Sequence, residues 1–422
     1  MRIAVIALDT RGGVQPYTAL GLGLQAAGHE VTLLGPADAL AAAAARGLPT
    51  VPLSAPGAQE VNRSGVASMN ARDTRRLMRE HMRATLGVTA RQALDACADA
   101  DVITGGIGGM VIGLPVAEKL RTPFVEAHLQ PIGPPNGTIP GPMLAPPPAW
   151  LGPVGNHLSN VAARTVLQMT FAAPMRHLRR EVLGLPRRPA APPRADLPVL
   201  YGYSPVVLPK PPGWGASRHV TGYWPLLVGP DWSPPPELSA FLAAGPPPVC
   251  IGFGSMVVED RAATTALVLE AVRRAGVRAV LLAGWGGLGD AQRATPDDVL
   301  VLDEAPHDWL YPRCAAVVHH GGAGTTGAAL RAGVPAVVVP FGVDQPMWAS
   351  RVVALGTGPQ PIPRRRLTAD RLTHALRAVA DGRFTERAAT VGALIGAEDG
   401  IGAAVAHYDA LERSPRRRSA SA

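Results

Sequence analysis

The sequence predicts a two-domain α/β protein in which each half is a doubly wound parallel sheet. The first observation is length, because 422 residues exceed what one ordinary hydrophobic core can hold. The second is the alternation of short apolar runs with helical segments in both halves, which is typical of βαβ units. The third is a stretch rich in Pro, Gly and Trp at residues 205–248, which separates the two series.

The first half opens on a continuous apolar run at residues 3–8, as expected of a strand buried on both faces of a parallel sheet. A turn at 9–14 leads into a helix predicted for 16–27, which Gly28 ends. Further strands are predicted at 31–34, 51–53, 102–104, 124–127 and 199–203. Further helices are predicted at 37–46, 69–98, 110–120 and 161–183.

Eight prolines between residues 130 and 150 predict a loop instead of a regular element. Long loops within compact domains are often functional, so this loop is interpreted as a lid or a wall of an acceptor site. A surface linker is an equal alternative on the sequence alone.

The second half repeats the alternation, beginning with a strand at residues 249–254 and a helix at 260–275. Strands follow at 279–282, 299–302 and 336–340, and helices at 345–354, 368–380 and 402–412. The predicted organisation has four parts: a first domain at 1–208, a Pro-rich connection at 209–245, a second domain at 246–412 and a basic, disordered tail at 413–422.

The most informative stretch is residues 317–333, VVHHGGAGTTGAALRAG. A β-branched run, a turn with two histidines and several glycines, and a helix start follow one another. Glycines allow close approach of the backbone to a ligand, and the first amides of a helix attract anions. The stretch differs from a P-loop, because no Lys follows the glycines. It predicts a phosphate-binding turn, and a Gly-rich connection without a ligand is the alternative.

Charge and cysteine content restrict the partners. The chain has 40 Lys and Arg against 32 Asp and Glu, a formal net charge of +8. Only Lys119 and Lys210 are lysines, so the excess reflects abundant arginine and predicts no nucleic-acid partner, while an anionic membrane surface is kept as a partner class. Cys97, Cys250 and Cys314 are scattered in apolar contexts, which predicts buried thiols and no metal site. The short apolar N-terminal run and the absence of a long apolar segment predict a cytoplasmic protein.

Five motifs in order resemble the nucleotide-sugar-dependent glycosyltransferases of the GT-B fold. In the second half they are GFGSM, GWGGLGD, DEAPHDWLYPR, HHGGAGTT and PFGVDQPMW. The opening turn of the first half, DTRGGVQPY, is similar to the turn of the sterol 3-β-glucosyltransferase-like and bacterial antibiotic (macrolide and glycopeptide) branch. The resemblance implies two Rossmann-like domains that face an interdomain cleft.

The resemblance also implies roles for individual residues on the donor side. A UDP- or dTDP-linked sugar would be bound mainly by the second domain, with no metal or other cofactor. An imidazole and helix-end amides are able to stabilise the diphosphate leaving group. The residues that match the family's donor contacts are His320, Gly322, Gly324 and Thr325 for the phosphates and Asp344 and Gln345 for the sugar, and the segment ending in His307 resembles the one whose backbone recognises the base. Ser255, in the GFGS turn, is a candidate to reach a phosphate, and Trp285 is a candidate to stack on the base. His319 is expected to be a core residue.

One position departs from the family. The opening turn of relatives ends in an Asp that is the presumed general base, and Gly13 stands there in this chain. Asp9 lies on the same turn, and His128 follows the strand predicted at 124–127. A carboxylate or an imidazole within hydrogen-bond reach of the acceptor hydroxyl would serve as base. The sequence leaves the choice open and favours Asp9.

The predicted function is an inverting glycosyltransferase that moves a sugar to a hydroxyl of a lipophilic acceptor, such as a sterol, a macrolide or another natural-product aglycone. Two alternatives belong to other classes. The first is a catalytically silent binding or auxiliary homologue, which Gly13 suggests. The second is an epimerase that acts on the nucleotide sugar without an acceptor.

Overall fold

A computed structural model of the chain describes residues 1–54, 85–142, 146–187, 197–229, 231–254, 256, 260–284 and 297–413. Each half of the chain forms one parallel sheet, as predicted. The cysteines are buried free thiols, which is also as predicted. The predicted helix at 69–98 lies partly, and the predicted tail almost wholly, outside the described residues.

The first sheet has seven parallel strands in the order β3-β2-β1-β4-β5-β6-β7. Its strands are β1 (Arg2–Ile6), β2 (Glu30–Pro36), β3 (Thr50–Leu53), β4 (Val102–Gly105), β5 (Phe124–His128), β6 (Val199–Tyr201) and β7 (Arg218–Val220). Its helices are α1 (Arg11–Ala26), α2 (Ala37–Ala44), α3 (described at 85–96), α4 (Ile107–Leu120) and α5 (Gly152–His177). Strands β1 and β4 are almost wholly buried, which explains their unbroken apolar runs.

The second sheet has five parallel strands in the order β10-β9-β8-β11-β12. Its strands are β8 (Val249–Gly252), β9 (Ala279–Leu282), β10 (Val299–Leu302), β11 (Ala316–His319) and β12 (Ala336–Val338). The helices from the connection onward are α6 (Pro236–Ala243), α7 (Arg261–Ala275), α8 (His307–Leu310), α9 (Ala323–Arg331), α10 (Gln345–Ala354), α11 (Ala369–Ala380), α12 (Thr385–Gly396) and α13 (Gly400–Arg413).

Two helices begin at least five residues earlier than the sequence predicts. Helix α1 begins at Arg11 and contains Pro16, where the prediction started the helix at residue 16. A proline within a helix removes one bond to the carbonyl four residues earlier, and here that carbonyl belongs to Gly12 at the cleft. Helix α5 begins at Gly152, nine residues before the predicted start at 161, because Pro153 occupies the first turn, where it costs no hydrogen bond.

The connection between the halves contains regular structure that the sequence analysis did not predict. Strand β7 extends the first sheet into the segment 209–245, pairing Tyr201 with Val220 in parallel register. Helix α13 crosses back to the first domain, where Ala404, Val405 and Tyr408 belong to the same apolar core as α1. The Tyr408 hydroxyl lies 2.8 Å from that of Thr104.

The last two helices together meet the length and composition criteria for crossing a membrane. The stretch Thr385–Arg413 has a mean hydropathy of 1.3 over its most apolar window. In the structure it consists of two helices, of which α12 packs on α9 and α13 packs on α1. Their apolar faces therefore belong to the contacts between the domains and the returning chain.

Candidate active site

The candidate site lies where the two sheets reverse their strand order. The first sheet reverses between β1 and β4, beside the turn that carries Asp9, and the second reverses between β8 and β11, beside the turn that carries His320. Ligands of open α/β sheets bind at such points, beyond the carboxyl ends of the strands. The two turns meet, since α1 contacts α9 and the Gly12 carbonyl oxygen lies 3.9 Å from where a Cβ on Gly324 would be.

His319 is a structural residue of the glycine-rich turn, as the sequence suggested. Its ring is fully buried at the end of β11, and Nδ1 accepts a hydrogen bond of 3.0 Å from the Gly321 amide. Burial, and then the neighbouring His320 and His307, lowers the pKa of His319 to about 3, so the ring is neutral. Gly321 has a φ of 91°, and a Cβ there would lie 2.8 Å from Val338. The turn therefore requires glycine at this position.

His320 points into the crevice between β8 and β11. A Cβ on Gly322 would lie 2.5 Å from its Nε2, and one on Gly254 would lie 3.2 Å from its Cε1, so the ring fills the space between these two backbone segments. Its buried Nδ1 has no hydrogen-bond partner within the described residues. Burial, with His307 adding to it, lowers the pKa of His320 to about 4. The ring is neutral, and Nε2 is the nitrogen that lies beside Gly322, next to the start of α9.

The N-terminus of α9 lies beside His320 and has the features of an anion-binding site. Gly322 is the N-cap residue, and it has no side chain with which to bond the first amides of the nine-residue helix. Gly324 is exposed and Thr325 is partly exposed in the first turn. The amides and the positive end of the helix dipole are thus open toward the cleft, as a diphosphate requires.

Asp344 is buried at the start of α10, with 7% of its surface exposed. Its Oδ2 accepts a hydrogen bond of 2.9 Å from Trp348 Nε1, and the side chain of Gln130, from the first domain, also bonds it. Burial raises the pKa of Asp344 against these bonds. The predicted sugar-binding carboxylate is therefore held in place by residues of both domains.

Gln345, the second predicted sugar ligand, is buried and bonded within its own loop. Its Oε1 accepts hydrogen bonds from the amides of Phe341, at 2.7 Å, and Gly342, at 3.2 Å. Its Nε2 lies 3.2 Å from Met256 Sδ, which is a weak acceptor. The amide thus shapes the loop, and only its Nε2 has bonding capacity left for a sugar hydroxyl.

Asp9 lies across the cleft from Asp344. Its Oδ1 accepts a hydrogen bond of 2.6 Å from the Thr10 amide, and the side chain contacts solvent although protein surrounds it on most sides. Partial burial raises the pKa of Asp9 against the Thr10 hydrogen bonds, and the charge of Asp344 raises it further. A Cβ on Gly13 would lie 2.2 Å from Asp9 Cγ. The Asp9 carboxylate therefore occupies the space that a side chain at position 13 would need.

His128, the other candidate base, lies deeper in the first domain. Only 1% of its surface is exposed, its Nε2 is 2.9 Å from Glu126 Oε2, and its ring packs on Tyr201. Burial opposes ionisation of Glu126, but the hydrogen bond and charge of His128 and the charges of nearby arginines lower its pKa overall. Nδ1 of His128 is buried without a partner within the described part of the chain. The geometry separates His128 from the open cleft that Asp9 faces.

The predicted base-binding segment begins helix α8. The His307 ring stacks on Tyr311, with centroids 4.4 Å apart, and lies close enough to His319 and His320 to influence their titration. Ser255 and Trp285, the remaining predicted donor ligands, lie outside the described residues. Their roles stay predictions.

Two residues near the site were missed by the sequence analysis. Gln130 follows β5 and contacts Asp344, and its position just beyond the carboxyl end of a strand was the available signal. Val343 precedes Asp344 with a φ of 58°, which is unusual for a β-branched residue and common at functional sites. No sequence pattern identifies such a strained position.

A group of possible metal ligands lies away from the cleft, where α13 packs against the first domain. His29, Asp409 and Glu412 bring three ligand atoms within 4.8 Å of one another. His29 Nε2 is 2.9 Å from Asp409, and the amino group of Met1 is 3.1 Å from Glu412. These groups bond to one another and fasten the returning helix.

The chain resembles known proteins over almost its whole length. It is 34% identical over 431 residues to a sterol 3-beta-glucosyltransferase of Aspergillus clavatus, a match that covers 98% of this chain and 30% of the relative. It is 32% identical over 432 residues to sterol 3-beta-glucosyltransferase UGT80B1 of Arabidopsis thaliana, covering 98% of this chain and 68% of the relative. The fungal relative is thus about three times as long as the matched region.

Two further comparisons describe the domains. Residues 281–398 match the family described as erythromycin biosynthesis protein CIII-like, C-terminal domain. The structure of the spinosyn rhamnosyltransferase SpnG, complexed with spinosyn aglycone, superposes with a TM-score of 0.63 at 22% identity, covering 98% of this chain and all of that one, 100%. With its two parallel-sheet domains in the GT-B arrangement, the chain belongs to the sterol 3-beta-glucosyltransferase family.

Proposed function

We propose that the protein is an inverting glycosyltransferase that transfers a sugar from a UDP- or dTDP-sugar to a hydroxyl of a lipophilic acceptor. A base takes the proton of the acceptor hydroxyl as its oxygen bonds to the anomeric carbon. The bond between that carbon and the β-phosphate oxygen breaks on the opposite side, and the nucleoside diphosphate leaves. Because the relatives are named sterol glucosyltransferases, glucose and sterols are the first donor sugar and acceptor to test.

The observation that carries this proposal is the position of Asp9. Its carboxylate fills the space beside Gly13 and faces Asp344, the predicted sugar ligand, across the cleft. An acceptor hydroxyl between the two domains would then meet a carboxylate on one side and the bound sugar on the other. A raised pKa makes Asp9 a stronger base than a solvated carboxylate. The chain thus keeps a base although Gly13 replaces the residue that the family provides.

The donor is assigned to the second domain. His320 and the amides of Gly322, Gly324 and Thr325 would stabilise the leaving diphosphate, without a metal ion. Asp344 and the remaining N–H of Gln345 Nε2 would bind sugar hydroxyls, and His307 would lie near the nucleotide base. Ser255 and Trp285 complete the proposed donor site.

The acceptor is assigned to the first domain and its Pro-rich loop. The loop is fastened to α5, where Asn160 Nδ2 donates a hydrogen bond of 2.8 Å to the Ile139 carbonyl. SpnG, a structural neighbour, is complexed with spinosyn aglycone. A lipophilic acceptor is therefore part of the proposal, and a cytoplasmic location and peripheral association with a membrane are proposed with it.

The decisive experiment compares Asp9→Asn and His128→Gln with the unmodified protein, using UDP-glucose and dTDP-glucose with a panel of sterols and macrolide aglycones. Asp9→Asn should lower kcat by about 10²- to 10⁴-fold, the usual contribution of a general base, with unchanged thermal stability. His128→Gln should mainly lower stability, because its buried bond to Glu126 is lost. A larger loss of turnover in a folded His128→Gln protein would contradict the assignment of Asp9.

The pH dependence provides a second test of Asp9. A base acts only when deprotonated, so kcat/KM should be constant at high pH and fall as the pH drops through the raised pKa of Asp9. In Asp9→Asn this acid limb should disappear from the residual rate. An unchanged acid limb in the variant would assign the titration to another group.

The same assays distinguish the two alternatives. Nucleotide binding by calorimetry without turnover of any acceptor would indicate the catalytically silent homologue. A new sugar epimer formed from the donor alone would indicate the epimerase. Acceptor-dependent release of UDP or dTDP with a glycosylated product supports the transferase.

A further inference from the structure

Helix α5 and the short helical turn before it, Ala149–Leu151, carry a line of large apolar side chains that face solvent. These residues, called here the apolar stripe, are exposed by 82% at Trp150, 64% at Val154, 60% at Leu158, 41% at Val161, 49% at Val166 and 74% at Met169. Their spacing of mostly three to five residues keeps them on one side of a helix. At 1.5 Å per residue the stripe is about 28 Å long. Exposed apolar surface that is concentrated in this way marks an interaction site.

The opposite side of α5 is already occupied by its own domain. Asn156 Nδ2 donates a hydrogen bond of 3.1 Å to the Gly137 carbonyl, and Ser159 Oγ accepts one of 2.8 Å from the Gly141 amide. Asn160 is buried and bonds the Ile139 carbonyl. These bonds fasten the helix to the Pro-rich loop and fix its rotation. The apolar stripe therefore faces outward as a result of how the domain is built.

Helix α5 itself carries positive charge and no acidic residue. Arg164 and Arg176 are exposed on it, Arg180 and Glu181 are exposed just beyond its end, and Glu126 of β5 lies near enough to Arg164 for their charges to interact. An apolar helix face with an arginine border and a Trp at one end has the composition of helices that lie in the interface of an anionic bilayer. Two copies packed stripe to stripe would bring these like charges together, which disfavours self-association.

We propose that the apolar stripe of α5 binds the surface of an anionic lipid bilayer, with Trp150, Val154, Leu158 and Met169 inserted at the level of the head groups and the arginines contacting lipid phosphates. This surface specifies the membrane association proposed above, and it does not depend on the reaction that the cleft performs. It would place the Pro-rich loop beside the membrane, where lipophilic alcohols dissolve.

The test is sedimentation of the full chain with vesicles of phosphatidylcholine in which about a third of the lipid is anionic phosphatidylserine. The triple variant Val154→Ser, Leu158→Ser, Met169→Ser should lose about tenfold or more of its partitioning, because each side chain contributes apolar area. The control variant Val88→Ser, Leu227→Ser, Leu394→Ser removes exposed apolar residues from other places and should bind as the unmodified protein does. Binding should weaken with salt and on pure phosphatidylcholine vesicles.

Two further readouts complete the test. Brominated lipids should quench fluorescence more in the unmodified protein than in Trp150→Phe, which reports insertion without requiring a destabilising change. Absence of vesicle binding, or equal loss in the control variant, would overturn the proposal. A dimer in light scattering that the triple variant dissociates would overturn it in favour of a second copy. Vesicle binding and glycosyl transfer are measured separately. Vesicle binding that depends on the apolar stripe therefore supports this inference even if no glycosyl transfer is detected.

Discussion

At the scale of single residues, the site depends on an exchange between two positions of one turn. The Cβ of any side chain at position 13 would lie 2.2 Å from Asp9 Cγ, where the Asp9 carboxylate now is. Gly13 therefore leaves room for the carboxylate of Asp9, the proposed base. The same comparison explains why the departure from the family pattern need not abolish activity.

Replacing Gly13 by Ala should displace the Asp9 side chain. The new Cβ would lie between 2.2 and 2.6 Å from the carboxylate atoms, far inside van der Waals contact. We expect kcat to fall by roughly 10²-fold or more, approaching the loss of a general base, while the helix remains intact because Ala is a strong helix former. Steady-state kinetics and thermal unfolding would measure both.

The matched control is Gly12→Ala, one position earlier on the same helix. A Cβ on Gly12 meets no atom within 4 Å, so kcat should stay near that of the unmodified protein. Equal kcat values for the two variants would show that the space beside Gly13 has no role in catalysis.

At the scale of elements, the turn before α10 stores strain next to the predicted sugar ligands. Val343 has a φ of 58°, which is unfavourable for a β-branched residue. Its side chain is exposed, so burial of apolar surface does little to offset this cost. Gln345 holds the turn closed through the Phe341 and Gly342 amides. Asp344 follows directly after the strained residue Val343.

Replacing Val343 by Gly should relieve this strain. The expected result is a gain of about 1 kcal/mol in the free energy of unfolding, because glycine adopts positive φ freely although it loses more chain entropy. The donor KM should rise as the turn loosens around Asp344. Denaturant unfolding and donor titration would measure the two effects.

Arg121 is the control for this prediction, since it has the same φ of 58° at the end of α4, away from the cleft. Arg121→Gly should gain stability without a change in donor KM. A change in donor KM of equal size in both variants would contradict a specific role for the turn at Val343.

At the scale of the whole molecule, the two domains are joined by apolar contacts and by the returning chain. Tyr203 of the first domain packs on Trp348 of the second, and Trp348 holds Asp344. Ser204 donates a hydrogen bond of 2.6 Å to Glu398 where the chain crosses back. Trp348 therefore belongs both to the contact between the domains and to the surroundings of Asp344, the predicted sugar ligand.

A Gln130 variant tests whether the contact between the first domain and Asp344 contributes to the reaction. Gln130→Ala removes the contact from the first domain to Asp344, and a bond to a charged group contributes about 1.5–3 kcal/mol. We expect kcat/KM for the donor to fall roughly tenfold or more, with little change in UDP affinity measured by calorimetry.

Gln25→Ala, on the exposed side of α1, should leave all of these values unchanged. An equal loss of UDP affinity and of kcat/KM in Gln130→Ala would indicate that Gln130 acts on nucleotide binding and not on the closed cleft.

The sequence by itself determined the fold class and the position of the donor turn. Fully buried strands leave unbroken apolar runs, and a glycine-rich turn with two histidines is a local signal, so both were predictable. It also separated His319 from His320, because the last residue of a buried strand belongs to the core.

Only the tertiary structure showed that Asp9, and not His128, faces the cleft. That choice depends on which side chain reaches the cleft, and on the space beside Gly13, neither of which is a property of neighbouring residues in the chain. Three other features were also unpredictable because each depends on contacts between segments far apart in sequence. They are the bond of Gln130 to Asp344, the addition of β7 to the first sheet and the packing of α13 on the first domain. Local sequence patterns determine helices and strands. The way the two domains pack determines that the points where their sheets reverse strand order meet at one cleft.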